Sequence, residues 1–139
     1  MEILSNNAEE TGKIGLEIGK QLKGGEVIAL TGDLGAGKTT LVKAIAKGLE
    51  IDKNILSPTF TIVREYEGRL KLYHFDFYRL ASEDELYEIG FSEYINDGHA
   101  VTIIEWADMF ENVLPEDRMN IQIEYNGEDS RILRTDFDI

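Results

Sequence analysis

Gly32-Asp33-Leu34-Gly35-Ala36-Gly37-Lys38-Thr39 separates an apolar run, Glu26-Val27-Ile28-Ala29-Leu30-Thr31, from a segment of helical periodicity that runs from Thr39 to Gly48. The stretch satisfies Gly-x-x-x-x-Gly-Lys-Ser/Thr at every fixed position. Glycines at these points permit positive φ, so that successive amide N–H groups turn inward around an anion. Lys38 brings a cation to the outer phosphates, and Thr39 brings a hydroxyl to a divalent metal. The helix that starts there directs its positive end at the same anion. With glycine at about 7% of residues, the pattern arises by chance in well under about one in a hundred chains of this size. Strand, glycine loop and helix, in that order, make half of a βαβ unit. They predict a phosphate-binding loop, with Asp33, Leu34, Gly35, Ala36, Gly37, Lys38, Thr39 and Thr40 around a nucleoside triphosphate and Mg²⁺.

Outward from this loop, Ala8 to Leu22 reads as a helix capped by Asn6 or Asn7, with Ile14, Ile18 and Leu22 in one apolar row. Thr59 to Tyr66 and Leu70 to Phe77 read as an antiparallel hairpin turning at Glu67-Gly68, and Ser82-Glu83-Asp84-Glu85 as a capping box opening a short helix through Ile89. Ala100 to Trp106 reads as a buried strand, and Met119 to Tyr125 with Arg131 to Phe137 as a closing hairpin around Asn126-Gly127. The expected architecture is a single α/β domain over 1–139, a three-layer fold of the P-loop NTPase type. Its mixed, partly parallel sheet is flanked by helices.

Composition narrows the function. The 139 residues carry 14 basic and 27 acidic side chains, a net charge of −13, and no cysteine. Disulfide and thiolate chemistry are excluded, and such a surface on average repels a polyanion. A basic protein is the better-matched partner, or the acidity serves solubility alone. The apolar stretches are too short to cross a bilayer, and the N-terminus lacks the features of a secretory signal, which points to the cytoplasm.

A P-loop enzyme also needs an acid at the end of a buried strand to hold Mg²⁺, usually through water. Asp76, after Leu70-Lys71-Leu72-Tyr73-His74-Phe75, and Glu105, after Val101-Thr102-Ile103-Ile104, both qualify. No Asn-Lys-x-Asp is present to read guanine, which favours ATP, and no Arg-dense lid of the kind a small-molecule kinase uses is visible. GTPase-like switches and kinases are the competing readings.

Gly-Asp-Leu-Gly-Ala-Gly-Lys-Thr-Thr at 32–40, Ser57-Pro58-Thr59-Phe60, His74-Phe75-Asp76-Phe77-Tyr78-Arg79 and Ile104-Glu105-Trp106-Ala107-Asp108 occur in this order. Together they resemble the TsaE (YjeE) family, small ATPases of tRNA threonylcarbamoyladenosine biosynthesis. The resemblance implies a cytoplasmic, Mg²⁺-dependent ATP hydrolase that acts with the TsaB and TsaD proteins and meets tRNA only through them. It gives Asp76 the Walker-B-like role and makes Lys38, Asp76 and Glu105 catalytic, with Thr39, Asp76 and Glu105 at the metal. It makes the 57–60 loop a switch near the γ-phosphate, where Thr59 would sense the triphosphate. Trp106 is placed at the nucleotide, where it would stack on the base or face a partner. His74 is read as packing or support for the acids beside it, and His99 has no role.

Overall fold

The computed structural model describes residues 1–33, 35–58 and 61–139. Strands β1 (Glu2–Ser5), β2 (Val27–Gly32), β3 (Val63–Tyr66), β4 (Lys71–Asp76), β5 (Ala100–Glu105), β6 (Met119–Tyr125) and β7 (Arg131–Thr135) form one sheet in the order β1-β7-β6-β2-β5-β4-β3. The central strands β6, β2, β5 and β4 run parallel, and antiparallel partners close both edges. The sheet is therefore mixed, as the two sequence hairpins require. β2 and β5 are apolar along nearly their whole length because helices cover both faces of the sheet.

Helices α1 (Ala8–Gln21) and α2 (Lys38–Gly48) lie on one face, over Ile28, Leu30, Leu72, Val101 and Ile103. Helices α3 (Asp84–Glu88) and α4 (Phe91–Ile95), with 3₁₀ turns over Ala107–Val113, cover the other, where Phe75, Phe77 and Phe91 meet edge to face. The result is the three-layer, P-loop-type arrangement expected from the sequence. Among the described residues, no helix is long and apolar enough to cross a membrane.

Asn7 is the cap of α1: its side chain accepts from the Glu10 amide at 2.9 Å, while the Glu10 carboxylate reaches back to the Asn6 amide. The short helix expected from Ser82 through Ile89 is α3, Asp84–Glu88, with Ile89 as its C-cap. Glu85 accepts from the Ala81 amide at 2.6 Å, but Gly90 at φ +75 ends the helix and starts α4, which the sequence did not announce. Of the strand expected over Thr59 to Tyr66, Thr59 and Phe60 lie outside the described residues, Thr61 and Ile62 turn back onto the Pro58 carbonyl, and β3 covers Val63–Tyr66. β1 was also unexpected, and it extends the sheet by pairing with β7.

Candidate functional site

Parallel strands end together at one edge of this sheet, and that edge is where side chains of different strands converge. Register places Leu30 of β2 beside Glu105, and Glu105 beside Asp76. The phosphate-binding loop leaves β2 just past Leu30, so its lysine, threonine and both acids come together although the sequence separates them widely. Lys38, Thr39, Asp76, Glu105 and Trp106 line one cleft of about 530 Å³, with Ser57, Tyr78 and Arg79 at its sides.

Backbone sterics fix the loop. Gly37 is the left-handed residue before α2, at φ +105, and no side chain competes for the first amides of the helix. A Cβ on Gly32 would sit 2.2 Å from the Ile123 carbonyl oxygen, so β6 forces glycine where the loop leaves the sheet. Lys38 is 5% exposed; its Nζ donates to the Gly32 and Asp33 carbonyls at 2.7 Å each and lies 4.1 Å from the centre of the Trp106 ring. Burial pushes its ammonium below the ordinary lysine range, opposed by the charges of Glu105, Asp33, Asp108 and Asp76. An amine so placed has a reason to exchange carbonyls for phosphate oxygens.

Asp76 and Glu105 are both buried. Asp76 Oδ1 accepts from the Tyr78 amide at 2.8 Å. One Glu105 oxygen, Oε2, lies 2.5 Å from Nε2 of the buried His74. Among the described residues no cluster of three or more His, Asp or Glu side chains is placed to hold a metal ion. Mg²⁺ does not need one: it is held by one or two carboxylates, completed by phosphate oxygens and water. The Thr39 hydroxyl with the two strand-end acids fits that requirement.

Trp106 has left-handed backbone, φ +57, a strained state for a bulky residue and common beside functional sites. Its ring is half-buried against Tyr78, with centroids 4.7 Å apart, and faces the lysine. A second hollow of about 200 Å³ opens across the loop, lined by Thr11, Gly35, Gly37, Thr40 and Arg131.

Leu34 and Thr59 lie outside the described residues. Asp33 and Thr40 are exposed at the loop's mouth, and His99 is exposed in a turn, held through the Asp97 side chain. Sequence reasoning missed Arg131, whose Nε donates to the Ala36 carbonyl at 2.9 Å and whose guanidinium covers the Tyr125 ring. Nothing local announces a contact across that distance. His74 did carry a signal: it lies two residues before Asp76 on a strand and therefore on the same face.

The sequence model of the family described as "Threonylcarbamoyl adenosine biosynthesis protein TsaE" matches residues 5–133. The chain is 47% identical over 126 residues to the tRNA threonylcarbamoyladenosine biosynthesis protein TsaE of Bacillus subtilis (strain 168), an alignment spanning 90% of this chain and 78% of that one. Identity to the protein of the same description from Treponema pallidum (strain Nichols) is 41% over 131 residues, or 94% and 96% of the two chains. The crystal structure of Bacillus subtilis YdiB superposes with a TM-score of 0.78 at 39% identity, covering 96% of this chain and 82% of that one. A P-loop fold with its acids at adjoining strand ends, a family match over most of the chain and relatives this similar lead to one conclusion: the chain belongs to the TsaE family.

Proposed function

We propose that this protein is a Mg²⁺-dependent ATP hydrolase that works in the cytoplasm and supports tRNA threonylcarbamoyladenosine formation by acting on a TsaB–TsaD complex. The observation that carries the reading is the convergence of Lys38 and Thr39 with Asp76 and Glu105 in one cleft. The loop amides and Lys38 bind the β- and γ-phosphates, while Thr39 and Asp76, with Glu105 beside them, hold Mg²⁺. Mg²⁺ held there would supply charge neutralisation at the transferring phosphoryl group. Glu105 orients the attacking water and accepts its proton as the new P–O bond forms and the bond to ADP breaks. Arg79 lines the same cleft and is a second cation there, beside Lys38.

Family membership supports the pathway, and the acidic surface supports a protein partner that itself carries the tRNA. Phosphate release from ATP in the absence of any acceptor tests the reading. A requirement for an acceptor that takes up the γ-phosphoryl group would make the protein a kinase, and preference for GTP would make it a GTPase.

A further inference from the structure

Glu105 is a carboxylate 4% exposed, and its two oxygens have different surroundings. Oε2 is 2.5 Å from His74 Nε2. Oε1 has no hydrogen-bond partner among the described residues, yet it is not among the buried polar atoms left unpaired, so it opens on the cleft that Glu105 lines. His74 is fully buried, and its Nδ1 is the one buried side-chain nitrogen or oxygen without a partner among the described residues. Between the two neutral tautomers, that orphan favours the one protonated on Nε2. With the proton on Nε2, the ring donates to Oε2 and leaves a bare Nδ1 lone pair. With the proton on Nδ1, a buried N–H has no acceptor and a lone pair faces a carboxylate oxygen, the costlier arrangement.

We propose that His74 is the positioning residue of Glu105: its Nε2–H holds one carboxylate oxygen so that the other faces the attacking water. Register supports this geometry. His74 lies opposite Ile103 and Asp76 opposite Glu105, so the ring sits one step down the same face, behind both acids. The glutamate side chain has three rotatable bonds, and without the ring nothing among the described residues fixes its carboxylate. The imidazole does not touch the reacting atoms.

Because this assignment rests on Glu105 activating water, the test separates the two. Steady-state ATP hydrolysis is measured for the whole chain with TsaB–TsaD, for His74→Phe, His74→Gln, Glu105→Gln and the double variant His74→Phe/Glu105→Gln. Loss of a group that orients an active-site ligand costs about 10–100-fold. His74→Phe is expected to lower kcat by about that factor while KM stays within about threefold. His74→Gln, which keeps an N–H donor, recovers most of the rate. In the Glu105→Gln background His74→Phe adds less than about threefold, since effects through one group do not add. ¹⁵N NMR of the wild-type chain is expected to show the Nε2–H tautomer at His74, altered in Glu105→Gln. Equal loss in both backgrounds, no recovery in His74→Gln, or an Nδ1–H tautomer overturns the positioning role alone. A wild-type chain that hydrolyses no ATP, with or without the partner, overturns the hydrolase reading and this role with it.

Discussion

Lys38 sits where its charge is costly: nearly buried, its hydrogen bonds made to backbone carbonyls and its ammonium against an indole face. Burial is the largest influence on it and lowers its proton affinity. As pH rises through that lowered range the ammonium loses its proton sooner than an ordinary lysine, and affinity for ATP is expected to fall with it. At neutral pH a triphosphate supplies the counter-charge, so Lys38→Ala is expected to weaken ATP binding by about 10–100-fold, the range of hydrogen bonds to charged groups. Thr39→Ala should remove the Mg²⁺ dependence of that binding. Calorimetry showing both variants binding as the wild type does would contradict the assignment. Trp106 is the sole tryptophan, so it reports on the same exchange. Withdrawal of Lys38 Nζ from its ring on ATP binding should change its fluorescence, and Lys38→Met should abolish the change. An unchanged response in Lys38→Met means that the lysine does not leave the indole. Turnover separates from binding at Glu105: Glu105→Gln should bind ATP normally and hydrolyse it about 10²-fold more slowly, a general-base effect, and full activity would remove Glu105 from the mechanism.

The contact between α1 and α2, the helix that follows the glycine loop, is built on missing side chains. A Cβ on Gly19 would lie 2.2 Å from the Ile45 carbonyl oxygen, and one on Gly48 would lie 2.6 Å from the Gly19 Cα. Arg69 ties the ends of both helices, donating to the Leu22 carbonyl at 2.9 Å, to that of Gly19 at 2.8 Å and to that of Gly48 at 3.4 Å. Gly19→Ala is expected to cost about 1–3 kcal/mol through overpacking. Gly12→Ala, where a Cβ meets nothing within 4 Å, should stabilise by about 0.5–1 kcal/mol through helix propensity. Urea unfolding measures both, and equal effects would mean that the helices do not meet as described. None of this tight packing was legible in the sequence, where Lys23-Gly24-Gly25 and Gly48 register only as helix stops. What was legible is local. The glycine loop between β2 and α2, the Asn7 cap and the acids at Asp76 and Glu105 each depend on a few consecutive residues. What was not legible depends on distant ones: β1 pairs Glu2 with Arg134, Arg131 reaches Ala36, and the positive φ of Trp106 follows from how the chain leaves β5. The four-residue β1 is too short to show a period, and the five-residue α4 lies just past the expected end of α3 at Ile89, after Gly90.

A net charge of −13 repels tRNA on average, and the proposed place in the pathway rests on a protein partner of opposite charge. The acids are not all remote from chemistry: Asp33 and Asp108 lie near enough to Lys38 to act on its charge, and both are exposed. Tyr78, 47% exposed, stands in the cleft itself, so a protein docking there meets an aromatic contact beside the candidate catalytic acids. Arg79 lines the same cleft, and an arginine acting in the transition state is worth about 10³–10⁵ in rate. If Arg79 fills that role, Arg79→Ala should remove most turnover, with the partner and without it. If the partner supplies the charge or orders the cleft, the isolated protein is slow, Arg79→Ala changes little, and TsaB–TsaD raises the rate. The expected result is stimulation by TsaB–TsaD. Charges on exposed surfaces are screened within about 8–10 Å at physiological salt, so an electrostatically guided complex should form more slowly as salt rises. Measured between low and high salt, the partner concentration needed for half-maximal stimulation should therefore increase, while the rate at saturating partner changes much less. A half-maximal concentration that ignores salt would assign the −13 charge to solubility, and equal ATP hydrolysis with and without TsaB–TsaD would leave this protein an independent ATPase.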